Sequence, residues 1–218
     1  MIPFPRTAAH TVVVIVALAA LSGCQTTKYR VMEAFGVEKR DILSSRVESA
    51  RDAQDDAREQ FASALEQFRA TVAIDGGELE VLYDRLSRAY DRSERDADRV
   101  SKRIEDVRHV ANALFKEWSS ELDDYQSPDL RRQSQALLRD TQARYERMIA
   151  AMERAEASMD PVLRSFRDQV LFLKHNLNAR AIAALRNELE GIEADTEVLI
   201  AAMNEAIAEA DAFIRSLD

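Results

Sequence analysis

Cys24 is the single thiol of the chain, and it follows directly on Leu21-Ser22-Gly23. A thiolate is a strong nucleophile. Placed behind small residues at the end of an apolar run, it suits one reaction in particular: thioether formation with a diacylglycerol, with cleavage of the chain before the cysteine. The residues upstream fit that chemistry. Arg6 is the firm cation of a short start, Thr11 to Leu21 form the apolar run, and Ser22 and Gly23 supply the small side chains that signal cleavage needs. The run is shorter than the roughly 20 residues of a comfortable membrane span. The competing readings are a buried structural cysteine and the end of a transmembrane anchor. The lipobox reading makes residues 1–23 a lipoprotein signal peptide and Cys24 the lipid attachment point. A diacylglycerol plus a third acyl chain on the freed amine then anchors the body stably to a membrane. Gln25 stands where an aspartate would resemble an inner-membrane retention signal of enterobacteria-like cells, which favours the periplasmic face of the outer membrane. With a lone thiol, no disulfide forms within one chain.

Other residues capable of chemistry are sparse. Of three histidines, His10 falls in the signal, and His109 and His175 are far apart in sequence. Glu105 and Asp106 precede His109 by four and three residues, which puts them on one helix face. The second carboxylate-histidine motif of a di-iron bundle does not accompany them, so a surface pair is expected and no metal site is assigned. No Gly-rich phosphate loop and no Gly-x-Ser-x-Gly elbow occurs, so neither phosphoryl nor acyl transfer has a candidate residue. No catalytic residue and no cofactor is assigned. Paired acids of the glycosidase kind stay open in so acidic a chain, although in a narrow bundle most carboxylates flank the seams in water.

Two features suggest binding. Val170-Leu171-Phe172-Leu173 is apolar around a whole helical turn, more than one seam buries, and it precedes Lys174-His175-Asn176. It is either enclosed within a bundle or at a turn, or it is a partner-docking or self-association patch built on Leu171, Phe172 and His175. Met148, Met152 and Met159, with His175, motivate a different reading, a bundle that holds a metal or a small hydrophobic ligand. Trp118 reads as a large seam residue.

The elements that carry these residues are helical. Leu43, Val47, Ala50, Ala53 or Gln54, Ala57, Phe61, Ala64 and Phe68 alternate steps of four and three, a heptad seam interrupted by Gln54. Asp75-Gly76-Gly77 stops it. A second seam runs from Leu79 through Tyr83, Leu86, Tyr90, Ser93, Ala97, Val100, Ile104, Val107, Ala111 and Leu114 to Trp118. Beside it, Asp84 and Arg88, Asp91 and Arg95, Asp98 and Lys102, and Glu105 and His109 repeat an acid-then-base pair every seven residues, the mark of a solvated face. Ser127-Pro128-Asp129 is a helix start: a capping hydroxyl, proline at the first position, and an acid on the N-terminal dipole. The third pattern passes through Leu130, Leu137, Tyr145, Met148, Met152, Ala155, Met159, Val162, Phe166, Val170 and Leu173, with Pro161 expected to kink or break it after Asp160. Asn176-Leu177-Asn178 caps and restarts a fourth segment with Ile182, Leu185, Leu189, Ile192, Leu199, Met203, Ala206, Ala210, Phe213 and Leu217.

Breaks near residues 76, 127 and 177 give middle segments of about 70 Å at 1.5 Å per residue, with shorter outer ones. Each seam needs a partner, so the fold class is all-α, a long antiparallel coiled-coil or up-down bundle of three to four segments. The chain divides into a signal at 1–23, a lipidated terminus and linker at 24–38, and a helical bundle at 39–218. Five glycines and four prolines leave little punctuation for a many-turned globule, and aromatic residues reach only 6%. The net charge of -9 becomes -10 once Arg6 leaves with the signal, which argues against nucleic acid as a partner.

The body carries a resemblance as well. Lys39-Arg40-Asp41-Ile42-Leu43, Ala50-Arg51-Asp52-Ala53-Gln54, Ala64-Leu65-Glu66-Gln67-Phe68, Asp75-Gly76-Gly77, Ala113-Leu114-Phe115 with Trp118, and Leu130-Arg131-Arg132 are its first elements. The densest stretch joins Pro161-Val162-Leu163, Arg167-Asp168-Gln169-Val170-Leu171 and Leu173-Lys174-His175-Asn176-Leu177-Asn178-Ala179-Arg180-Ala181-Ile182. From about Lys39 to the C-terminus the chain resembles a family of proteobacterial lipoproteins classed as a domain of unknown function. The resemblance implies a helical envelope lipoprotein and brings no activity or site residue with it. The expectation is a non-catalytic, lipid-anchored periplasmic protein that acts as spacer, scaffold or docking arm for an envelope partner or a second copy. The ligand-binding bundle is the alternative, and a cell-wall hydrolase a third reading.

Overall fold

The structure is a computed structural model that describes residues 39–73, 79–176 and 179–217. Leu21, Ser22, Gly23 and Cys24, the linker up to residue 38, Asp75-Gly76-Gly77 and Leu177-Asn178 lie outside the described residues. Four helices follow in order: α1 (Lys39–Val72), α2 (Leu79–Glu121), α3 (Pro128–His175) and α4 (Ala179–Leu217), with a single 3-10 turn at Leu122–Asp124. No strand occurs among the described residues. The chain divides after Ile42 into two units. The bundle belongs to the second, Leu43–Asp218, and the described part of the first is the opening turn of α1.

The start of α3 shows how local sequence sets an element. The Ser127 hydroxyl accepts from the Leu130 N–H at 3.4 Å, Pro128 occupies the first turn where no N–H is needed, and Asp129 sits at the positive end of the helix dipole. Pro161 does not end this helix, which runs unbroken to His175. Asn176 closes α3: its N–H donates to the Leu173 carbonyl at 3.2 Å and its side-chain amide to the Phe172 carbonyl at 2.9 Å.

Pairing across the bundle fixes the up-down order. Arg51 donates to Asp211 at 2.9 Å and Arg58 to Asn204 at 3.0 Å, so α1 and α4 are antiparallel. Arg186 of α4 donates twice to the Val72 carbonyl, at 2.8 and 3.2 Å, and satisfies an acceptor left open at the end of α1. Gln60 reaches the Ala89 carbonyl at 3.3 Å and Arg99 reaches Asp56 at 3.3 Å, which sets α1 against α2. Arg108 bonds Glu153 between α2 and α3, and Arg154 meets Glu205 between α3 and α4 at 2.7 Å. These pairs are largely exposed, and each contributes at most about 1 kcal/mol. Apolar burial along the axis carries the fold.

The α1 seam is buried as the spacing predicts, from Leu43 through Val47, Ala50, Ala53, Ala57, Phe61 and Ala64 to Phe68. In α2 the buried line slides by one residue at both ends, taking Leu82 and Ala89 in place of Tyr83 and Tyr90, and Phe115 in place of Leu114. A straight helix drifts against a strict seven-residue repeat, and a helix with two packed neighbours buries a stripe wider than one seam. The salt-bridge ladder is also looser than its spacing: Asp84 and Arg88 close to 3.9 Å, whereas Arg99 and Arg103 take acids three residues away, Asp96 and Asp106.

Gln54 is fully buried inside the α1 seam. Its amide N–H donates weakly to the Met152 carbonyl at 3.4 Å, and its Oε1 has no partner among the described residues. A buried acceptor without a donor costs about 1–3 kcal/mol, and a single polar side chain in a seam specifies register at the expense of stability. Gln54→Leu is therefore expected to stabilise the bundle by about 1–2 kcal/mol, seen as a melting temperature higher by about 2–6 °C in a thermal scan.

Candidate docking surface

Among the described residues the axis is lined by closely packed apolar side chains. Between Phe68, Leu86, Tyr90, Phe166 and Val170 an apolar gap of about 10 Å³ remains, no more than one water requires. A larger open groove of about 520 Å³ lies between α3 and α4, where Glu146, Arg147, Arg154, Glu205 and Glu209 line an alanine floor. It is a solvated, charge-lined furrow bridged by the Arg154–Glu205 pair. Met148, Met152 and Met159 are buried packing residues of α3. His175 is exposed at the far end of that helix, sixteen residues beyond Met159, so the structure does not bring histidine and methionines together. Among the described residues no group of three or more His, Cys, Asp or Glu side chains could hold a metal ion.

Perturbed side chains are structural. Burial pushes the Tyr145 phenol up to about 12, while the nearby Arg108 pulls it down. Its ring packs edge-on between Phe115 of α2 and Phe213 of α4, with centroids 5.4 and 6.3 Å away. Burial, with the bond it donates to Glu94 at 2.6 Å, also raises Tyr90 to about 12. Tyr90 borders the apolar gap of about 10 Å³.

The end of α3 is different. Leu173 is fully buried, but the two residues before it turn outwards: Leu171 is 44% and Phe172 38% exposed, and Lys174 and His175 beside them are exposed too. A helical turn apolar on every side cannot be covered by two flanking helices, and here the surplus faces water. The sequence-predicted trio Leu171, Phe172 and His175 thus sits together on one exposed helix end, next to the Asn176 cap that fixes it. Val81, in the first turn of α2 at the same end of the bundle, is 46% exposed. Val198 on α4 is a single exposed apolar residue of the ordinary kind.

The start of α3 carries a second apolar surface, which seven-residue spacing does not disclose. Leu130 and Leu137 fall in the α3 pattern as seam residues, yet they are 54% and 59% exposed, and Ser134 and Leu138 take the buried positions. Trp118 lies half-buried beside them and donates to the Ser134 hydroxyl at 2.8 Å.

No curated protein matches the chain. Residues 28–217 match the family described as "Protein of unknown function (DUF2959)". That match spans the whole of the four-helix body, and the chain belongs to this family.

Proposed function

We propose that the protein is a lipid-anchored component of the bacterial cell envelope whose helical body is a non-catalytic docking arm, with Leu171 and Phe172 as its contact point and His175 on the rim. The observation that carries this reading is the outward-facing Leu171–Phe172 pair at the end of a bundle lined, among the described residues, by buried apolar side chains. Two large apolar side chains held by a capped helix end are the kind of rigid anchor around which interfaces form. The exposed Lys174 and His175 give the pair a polar border. Leu21-Ser22-Gly23-Cys24 supports the anchor, and the sum of the acyl chains supports its permanence. An arm of this kind needs length and stiffness, and helices of 43 and 48 residues, about 65 and 72 Å long, supply both.

Photo-crosslinking in living cells from a benzoylphenylalanine at position 172 tests the reading. The expected result is a reproducible adduct with one envelope protein that disappears when Cys24→Ala releases the anchor. Absence of any protein adduct, or adducts that do not depend on Cys24, would sink it.

A further inference from the structure

We infer that the exposed end of α3 recognises an acidic segment of a partner protein: Leu171 and Phe172 take up apolar side chains of that segment, and Arg167 and Lys174 hold its carboxylates. The inference rests on the docking reading above and names the chemistry of what docks.

Helical spacing puts cations around the apolar pair. Arg167 stands four residues before Leu171 and Lys174 three after it, so both border its side chain on one face, and His175 lies within a turn of Leu171 and of Phe172. Arg167, Lys174 and His175 are exposed, as the pair is. Arg164, a turn further back, already holds Asp160 at 2.8 Å. Arg167 and Lys174 take part in no ion pair among the described residues, so their charge is open to a partner. From Pro161 to His175 three cations stand against one acid, Asp168, in a chain whose net charge is -9.

The neighbouring helices are close to balance at this level. Residues 79–92 of α2 carry three arginines and three acids, and residues 182–192 of α4 carry Arg186, turned to the Val72 carbonyl, against Glu188 and Glu190. The positive excess is therefore local to α3 and centred on the apolar pair. A partner that buries Leu171 and Phe172 must bring carboxylates to the rim or leave two cations facing a dry contact, which is costly. Charges at a rim set orientation and partner choice more than affinity, while the apolar centre supplies the binding.

Position along the bundle selects a protein over a lipid surface. Arg154 of α3 meets Glu205 of α4. Counted equally far from that pair, Phe172 stands level with Asn187, next to Arg186 and the Val72 carbonyl that it bonds. The bundle begins at Leu43, at the other end of α1. At 1.5 Å per residue the patch is about 44 Å from the point where the chain from Cys24 enters. A basic rim around apolar side chains could also meet anionic headgroups, but this patch lies a bundle length from the tethered end.

The test is a benzoylphenylalanine at position 172 of the full chain, irradiated in cells, with the joined peptide sequenced by mass spectrometry and the adduct yield compared among charge variants. The expected adduct joins a peptide of another envelope protein that carries more Asp and Glu than Lys and Arg. Arg167→Glu with Lys174→Glu should lower the yield roughly fivefold or more, the loss that two screened pairs turned repulsive support, and Arg167→Gln with Lys174→Gln should lower it less. Replacing the acids of the joined peptide by lysine should restore the yield of the doubly reversed variant. Circular dichroism checks that the variants remain helical. An envelope-protein adduct whose yield ignores the reversals, or whose joined peptide is neutral or basic, overturns this inference and leaves docking at Phe172 standing. A second copy of the chain in the partner's place also overturns it. A lipid adduct, or no adduct, overturns both readings.

Discussion

Phe61→Ala is expected to cost about 3–5 kcal/mol and to lower the melting temperature by roughly 10 °C or more in a calorimetric scan. Phe61 is fully buried on α1 and stacks on Phe166 of α3 with ring centroids 6.5 Å apart and planes within 19°. The neighbouring positions of the same seam, Ala53, Ala57 and Ala64, are small. In so thin a core each large side chain carries a large share of the buried area, and the small neighbours along its own seam leave much of the void unfilled. Phe172→Ala is the control. That ring is partly exposed, so its loss should change stability by no more than about 0.5 kcal/mol while abolishing the crosslinks made from its surroundings.

Cys24→Ala is expected to move the protein from the membrane pellet to the soluble fraction almost completely when cells are lysed and centrifuged. Each buried methylene of an acyl chain contributes about 0.8 kcal/mol, so loss of all the chains changes the partition by many orders of magnitude. Nothing in the described bundle offsets that loss, because no helix among the described residues is long and apolar enough to cross a membrane. Retention in the pellet after carbonate washing would mean that another element holds the protein there.

Much of the architecture can be read in the residues. The four-three spacing of Val100, Ile104, Val107 and Ala111 and the Ser127-Pro128 start specify helix, face and boundary by local rules, and the structure places them accordingly. Local rules fail where neighbours change. Leu137 stands eight residues before Tyr145, so Leu130 and Leu137 fall one position off the seam of Met148 and Met152, and Ser134 and Leu138 hold the buried places instead. Pro161 lacks an amide hydrogen and loses one bond, yet α3 is packed on both sides through Met159, Val162 and Phe166, and that packing outweighs one missing bond. Of the candidate docking surface, the surplus of apolar residues at 170–173 is legible in sequence. That Leu173 turns inward follows from its place in the α3 seam, seven residues after Phe166, whereas the exposure of Leu171 and Phe172 depends on what packs against the end of α3.

The most direct test of the account is the intact mass of the protein extracted from membranes, with fragmentation of its N-terminal peptide. The account predicts a chain that begins at Cys24 and carries three acyl chains, two on the glyceryl thioether and one on the α-amine. A chain that retains residues 1–23, or one with an unmodified Cys24, would contradict it.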